Sequence, residues 1–126
     1  MLFTLVFLQI FKQILTVMEL VKTDGLKICH VFIFGKYGEG EGVSSYQLID
    51  IIKDFCLMRF PDFVRFLLVD AYNEPAVIGF YQKNKFTTVF STEEQEKETY
   101  RQTPSEPLQT RYMFYDMIQW RNRLMR

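Results

Sequence analysis

LKICHVFIFGKYGEGEGVSSYQLIDIIKDFCLMRFP, residues 26–61, carries the reading of the fold. Leu26 to Gly35 is dense in β-branched and aromatic residues and nearly uncharged, which predicts a strand buried on both faces in the middle of a sheet. Gly38, Gly40 and Gly42 follow at alternate positions, where the backbone can turn tightly and present its amides without side chains in the way. Ser44 with Gln47 three residues later reads as a capping box that starts a helix. Leu48, Ile51, Ile52 and Phe55 form its apolar stripe, Ile49 and Cys56 widen it, and Pro61 closes it. A strand leading through glycines into a helix N-terminus is a device for holding phosphates, because free amides and the positive end of the helix dipole face one point. A P-loop would need Gly-Lys-Ser/Thr, and this turn carries Glu39 and Glu41 instead. A dinucleotide fingerprint would need a third glycine where Val43 or Ser45 stands.

Downstream, Val64 to Ala71 predicts a second buried strand, and Asn73-Glu74-Pro75 a helix start with Asn73 as cap. That helix carries Ala76, Val77, Phe80 and Tyr81 and breaks near Asn84, after which Phe86 to Phe90 alternates weakly as a third strand. Residues 91–110 are polar, contain two prolines and lack a period, which predicts a long mobile loop with its TEEQEKE run in solvent. Arg111 to Trp120 reads as a closing strand and RNRLMR as a solvated tail. Upstream, the apolar residues of 2–20 favour a helix apolar over most of its surface, with a strand pair as the alternative. Gln9, Lys12 and Gln13 interrupt this stretch before the roughly 20 apolar residues that a membrane span requires. It also lacks the basic start and small-residue cleavage site of a signal peptide.

Composition narrows the function classes. At 126 residues, 48% hydrophobic and 17% aromatic, the chain fits one globular domain, residues 1–126, and does not fit a disordered protein. Lys plus Arg and Asp plus Glu are both 15, so no long-range field favours nucleic acid or an anionic membrane. Cys29 and Cys56 both sit in apolar patterns, as buried reduced thiols do, which points to the cytoplasm. One His and two separated Cys build none of the usual zinc spacings, so no metal is expected.

Tyr37-Gly38-Glu39-Gly40-Glu41-Gly42 resembles the pyrophosphate loop of the GNAT superfamily of acyl-CoA N-acyltransferases, whose pattern is Arg or Gln, two residues, Gly, any residue, then Gly or Ala. Tyr37 stands in the Arg/Gln place; counted back from Leu48-Ile49, the glycine places fall on Val43 and Ser45. Asn73-Glu74-Pro75-Ala76 and Phe80-Tyr81-Gln82-Lys83-Asn84-Lys85-Phe86 are similar to the family's Asn-x-x-Ala and Phe-Tyr-x-Lys-x-Gly-Phe helix. RYMFYDMI resembles the ending of some bacterial members, and the likeness covers roughly residues 26–120.

The resemblance implies an α+β fold, a GNAT-like mixed central sheet flanked by helices. The family opens with a strand, two helices and two further strands before its central strand. With about 25 residues available there, those N-terminal strands are expected to be missing or replaced by the apolar helix, in a chain that is truncated or atypical at that end. By resemblance, Gly38, Gly40 and Gly42 with the amides of Val43, Ser44 and Ser45 hold the pyrophosphate of acetyl-CoA, the cosubstrate. Asn73 touches the pantetheine arm, and Tyr81 protonates the departing thiolate. A phenol suits that task because it keeps its proton at neutral pH. Asp70, His30 and Glu39 are the candidates for the base that accepts the amine's proton.

Two functions follow. One is an N-acetyltransferase acting on a small-molecule or protein amine. The other is a noncatalytic remnant of the same fold that serves as an interaction module, dimerising through the first twenty residues or through an open sheet edge.

Overall fold

Three antiparallel strands form the first part of the chain in the computed structural model, which describes residues 3–10, 14–23, 25–34, 45–59, 63–100 and 105–124. β1 (Phe3–Ile10) pairs with β2 (Ile14–Thr23) from Phe3 opposite Val21 to Ile10 opposite Ile14. β2 pairs with β3 (Leu26–Phe34) from Thr23 opposite Leu26 to Leu15 opposite Phe34. Two residues, Asp-Gly in sequence, separate Thr23 from Leu26, and Gly25 adopts φ 78°, a left-handed conformation that suits a tight hairpin turn.

The expected helix over residues 2–20 is therefore incorrect, and so is the expectation of missing or replaced N-terminal strands. Leu5, Val6, Phe7 and Leu8 are apolar at both parities, so neither a 3.6 nor a 2.0 period stands out. The deciding factors are β-branched and aromatic content and the two neighbours that β2 acquires.

The remaining elements are α1 (Ser45–Arg59), β4 (Phe66–Tyr72), α2 (Pro75–Lys83), β5 (Thr87–Thr88), α3 (Glu93–Thr99), β6 (Thr110–Asp116) and α4 (Met117–Leu124). Strand neighbours follow the order β1-β2-β3-β4-β6-β5 in a mixed sheet, so the chain is α+β. The Arg65 amide, just before β4, donates to the Lys27 carbonyl near the start of β3, at 2.8 Å. The two strands thus start side by side and run parallel, with α1 as the crossover that a parallel pair needs. β4 and β6 are antiparallel: Met117 N donates to Arg65 O at one end and Asn73 N to Gln109 O at the other.

Contacts divide the chain into two compact units, Met1–Leu68 with Asp116–Arg126, and Val69–Tyr115. In the first, Met18, Cys29 and Val31 lie on one face of the β2–β3 ladder and are buried, as are Leu48, Ile49, Ile52 and Cys56 of α1. Ile51, expected in the apolar stripe, is 39% exposed; the buried face is centred on Ile49, Ile52 and Cys56 and includes Lys53. Strand β6 ends at Asp116; Met117 to Trp120, expected in that strand, and Arg121 to Leu124, expected in a solvated tail, form helix α4. Asp116 Oδ1 accepts from the Ile118 amide at 3.0 Å, the N-cap arrangement, and its carboxylate takes the Arg65 fork through Nε and Nη2 at 3.0 Å each. Burial alone would push this carboxyl up, but Arg65 and the Ile118 amide outweigh it and hold it below the usual range. Trp120 of α4 is buried and donates from Nε1 to Asp54 Oδ1 of α1 at 2.8 Å.

In the second unit, Val69 and Ala71 of β4 pack in a core with Tyr81, Phe86, Leu108, Met113 and Tyr115. Residues 93–99, expected in a mobile loop, form helix α3 instead. Thr92 caps α3 by accepting from Gln95 N at 3.2 Å, and the Gln95 side-chain oxygen accepts from Ser91 Oγ at 2.7 Å. β5 is only two residues long and pairs with Phe114 and Met113 of β6.

Lys53 supplies a test of the α1–α4 packing. Its residue is 3% exposed, and its ammonium lies 5.1 Å from the Trp120 ring centroid. Burial lowers its pKa from 10.5 to about 8 against the attraction of Asp50, with Arg123 lowering it further. The folded pKa lies below the unfolded one, so stability rises between about pH 8 and 10.5 as the unfolded chain retains a proton that the folded chain has lost. Lys53→Met should stabilise the protein at pH 7 and abolish that rise in urea-unfolding midpoints; equal pH profiles for the two proteins would refute the assignment.

Candidate functional site

Asn73 follows the last residue of β4. It was expected to cap α2, but Glu74 occupies that position without a side-chain cap bond, and Pro75 needs no donor partner at the first helical position. The Asn73 side chain instead donates from Nδ2 to Glu93 Oε1 at 3.1 Å and to the Leu108 carbonyl at 3.0 Å. It ties the end of β4 to the first turn of α3 and to the segment entering β6. Sequence spacing could not reveal this, since the partners lie 20 and 35 residues away.

Around the other end of α3 stands a group that sequence reasoning missed. Glu96 is 2% exposed although it lies in a run expected to be solvated. Its carboxylate accepts from Arg111 Nε at 2.8 Å and from the Tyr112 amide at 3.1 Å, while Arg111 Nη2 donates to the Phe90 carbonyl at 2.9 Å. A buried carboxylate needs such partners, since an isolated one would cost several kcal/mol of desolvation. Tyr100 stacks edge-on against Phe90 at 5.9 Å and lies 5.4 Å from Tyr112, forming a row of three rings beside this pair. Burial, then the charges of Glu96 and Asp70, push the Tyr100 phenol up. Burial, Asp70, Tyr100 and Glu96 do the same for Tyr112. Glu96 is matched by Arg111, so the aromatic faces with the Asp70 carboxylate near them are the part of this surface suited to a cation such as an alkylammonium.

Gly38, Gly40, Gly42, Val43 and Ser44 lie outside the described residues, as does the base candidate Glu39. Ser45 is the first residue of α1. Tyr81 is 5% exposed, with its ring edge-on to Phe80 at 5.2 Å and to Phe86 at 5.3 Å. His30 lies on β3, opposite Glu19 of β2, with its ring 4.1 Å from Phe32. Asp70 lies on β4, where its charge reaches Tyr100 and Tyr112.

No family model matches the chain, and no curated protein is significantly similar to it. Among the described residues, no helix is long and apolar enough to cross a membrane, and no three His, Cys, Asp or Glu side chains stand together as a metal site.

The Glu96–Arg111 pair should dominate local stability. Glu96→Gln is expected to destabilise the protein by about 3 kcal/mol, because it leaves the guanidinium without a counter-charge. Pairing it with Arg111→Met should recover most of that loss in a double-mutant cycle of chemical denaturation. Additive losses would show that the two side chains do not act as a unit.

Proposed function

We propose that this chain is an acetyl-CoA-dependent N-acetyltransferase acting on an amine. The observation that carries the proposal is the backbone at Lys85. It is the one non-glycine position with positive φ among the described residues, at 71°, and it falls where the resembled Phe-Tyr-x-Lys-x-Gly-Phe pattern places its glycine. A side chain in that conformation costs about 1 kcal/mol or more, so the turn is held by its surroundings. The Asn84 amide donates to the Phe80 and Tyr81 carbonyls, and the Phe86 amide returns to Tyr81 O at 3.0 Å. The segment thus takes the shape that the family's glycine favours, without the glycine.

Three further features support the reading. β1 and β2 stand where the resembled family has two strands before its central strand, the place assigned to β3. α2 follows β4 directly, with Asn73 at the junction. The row formed by Phe90, Tyr100 and Tyr112 beside Asp70 suits an ammonium acceptor.

In this reading the glycine-rich segment 38–45 holds the pyrophosphate on backbone amides, and Asn73 contacts the pantetheine arm. The amine nitrogen attacks the thioester carbonyl, Asp70 takes the amine's proton, and Tyr81 gives its phenolic proton to the departing thiolate. The setting is cytoplasmic, where acetyl-CoA and reduced thiols coexist.

Isothermal titration of the folded protein with acetyl-CoA should show saturable one-to-one binding, and Tyr81→Phe should keep that affinity and the melting temperature. The variant should lose about 100-fold or more in turnover against a panel of primary amines, the scale of general acid catalysis. Absence of binding heat at millimolar acetyl-CoA would overturn the reading and leave the noncatalytic interaction module.

A further inference from the structure

Three sulfur atoms from three elements meet in the core of the first unit. Cys56 Sγ of α1 lies 3.5 Å from Cys29 Sγ of β3 and 3.9 Å from Met18 Sδ of β2. The strand register explains the convergence. Met18 faces Val31 and Cys29 faces Leu20, so Met18 and Cys29 are diagonal neighbours on one face of the ladder. The three residues are at most 1% exposed. Both cysteines are free thiols, and the Cys29 contact together with burial pushes the Cys56 thiol well up.

We propose that Met18, Cys29 and Cys56 form a binding site for a soft monovalent cation, Cu(I). Thiolate and thioether sulfurs select soft ions, whereas Zn(II) in structural sites takes four protein ligands in a tetrahedron. Metal–sulfur bonds of about 2.3 Å place three ligands in a trigonal plane about 4.0 Å apart. Both separations at Cys56 fall within about half an ångström of that value, and the diagonal placement of Met18 and Cys29 on the ladder puts the third side of the triangle between neighbouring strands.

Charge fixes the protonation. With one thiolate, one thiol and one thioether, Cu(I) makes a neutral buried centre, which avoids the cost of an unpaired charge. One thiol therefore exchanges its proton for the metal, the sulfur lone pair forms the new bond, and the proton leaves to solvent. Affinity should rise about tenfold per pH unit, because binding releases one proton. The site is independent of acyl transfer.

The test is anaerobic transfer of Cu(I) from a chromophoric chelator to the full chain between pH 6.5 and 8, followed by X-ray absorption of the loaded protein. Expected are one tightly held Cu(I) with three sulfur neighbours and the tenfold pH slope. Met18→Leu conserves volume and keeps the core packed. It should hold Cu(I) about tenfold more weakly, with two sulfurs. The double variant Cys29→Ala with Cys56→Ala should lose the tight site, provided its circular dichroism matches the parent's. No transfer to the folded parent, nitrogen or oxygen neighbours, a Met18→Leu affinity equal to the parent's, or equal uptake by a folded double variant would each overturn the assignment.

Discussion

The pairing register of β2 on β3 is the constraint from which most of the first unit follows. Side chains alternate between faces with a period of two, so a slip by one residue would send Met18, Cys29 and Val31 to the opposite face. The two residues between Thr23 and Leu26 leave little freedom, and the left-handed Gly25 is the conformation that a tight hairpin requires. With the register set, one face of the ladder offers Met18, Cys29 and Val31 to the core, where α1 contributes Ile49, Ile52 and Cys56. The sulfur cluster is a direct product of that register.

The second unit depends on a different device. Helix α3 has almost no apolar side chains, so hydrophobic burial cannot fix it. Its placement rests on a buried carboxylate: Glu96 satisfies Arg111 and the Tyr112 amide, and Glu93 accepts from Asn73. Polar contacts of this kind are directional, which makes them suitable for holding the rings of Tyr100 and Tyr112 at defined positions. The carboxylate that locks the helix thus lies beside the aromatic row with its charge matched by Arg111.

Legibility in the sequence followed the strength of local patterns. The strand at 26–34, the helix at 45–59, β4 and α2 were readable because β-branched and aromatic runs, helical spacing and Pro75 agree with one another, although β3 buries Cys29 and Val31 on one face and not, as expected, both faces. The N-terminal hairpin was obscured because its residues are apolar at both parities, leaving no period to measure. α3 was obscured because it is polar throughout, although Thr92 and Gln95 announce its start. The break between β6 and α4 hides inside an apolar run, marked only by Asp116, which caps locally on the Ile118 amide but pairs with Arg65, 51 residues away. Of the candidate site, the presence of Asn73, Tyr81 and Asp70 could be read, but the burial of Tyr81 and the contacts of Asn73 and Glu96 come from tertiary placement alone.

The hairpin register is tested most directly by nuclear Overhauser contacts in isotopically labelled protein. The account predicts cross-strand backbone contacts linking Val17 with Phe32, Glu19 with His30 and Val21 with Ile28, as the antiparallel pairing requires. Sequential contacts between residues three apart through 14–23, the mark of a helix, or cross-strand contacts displaced by one residue would contradict it.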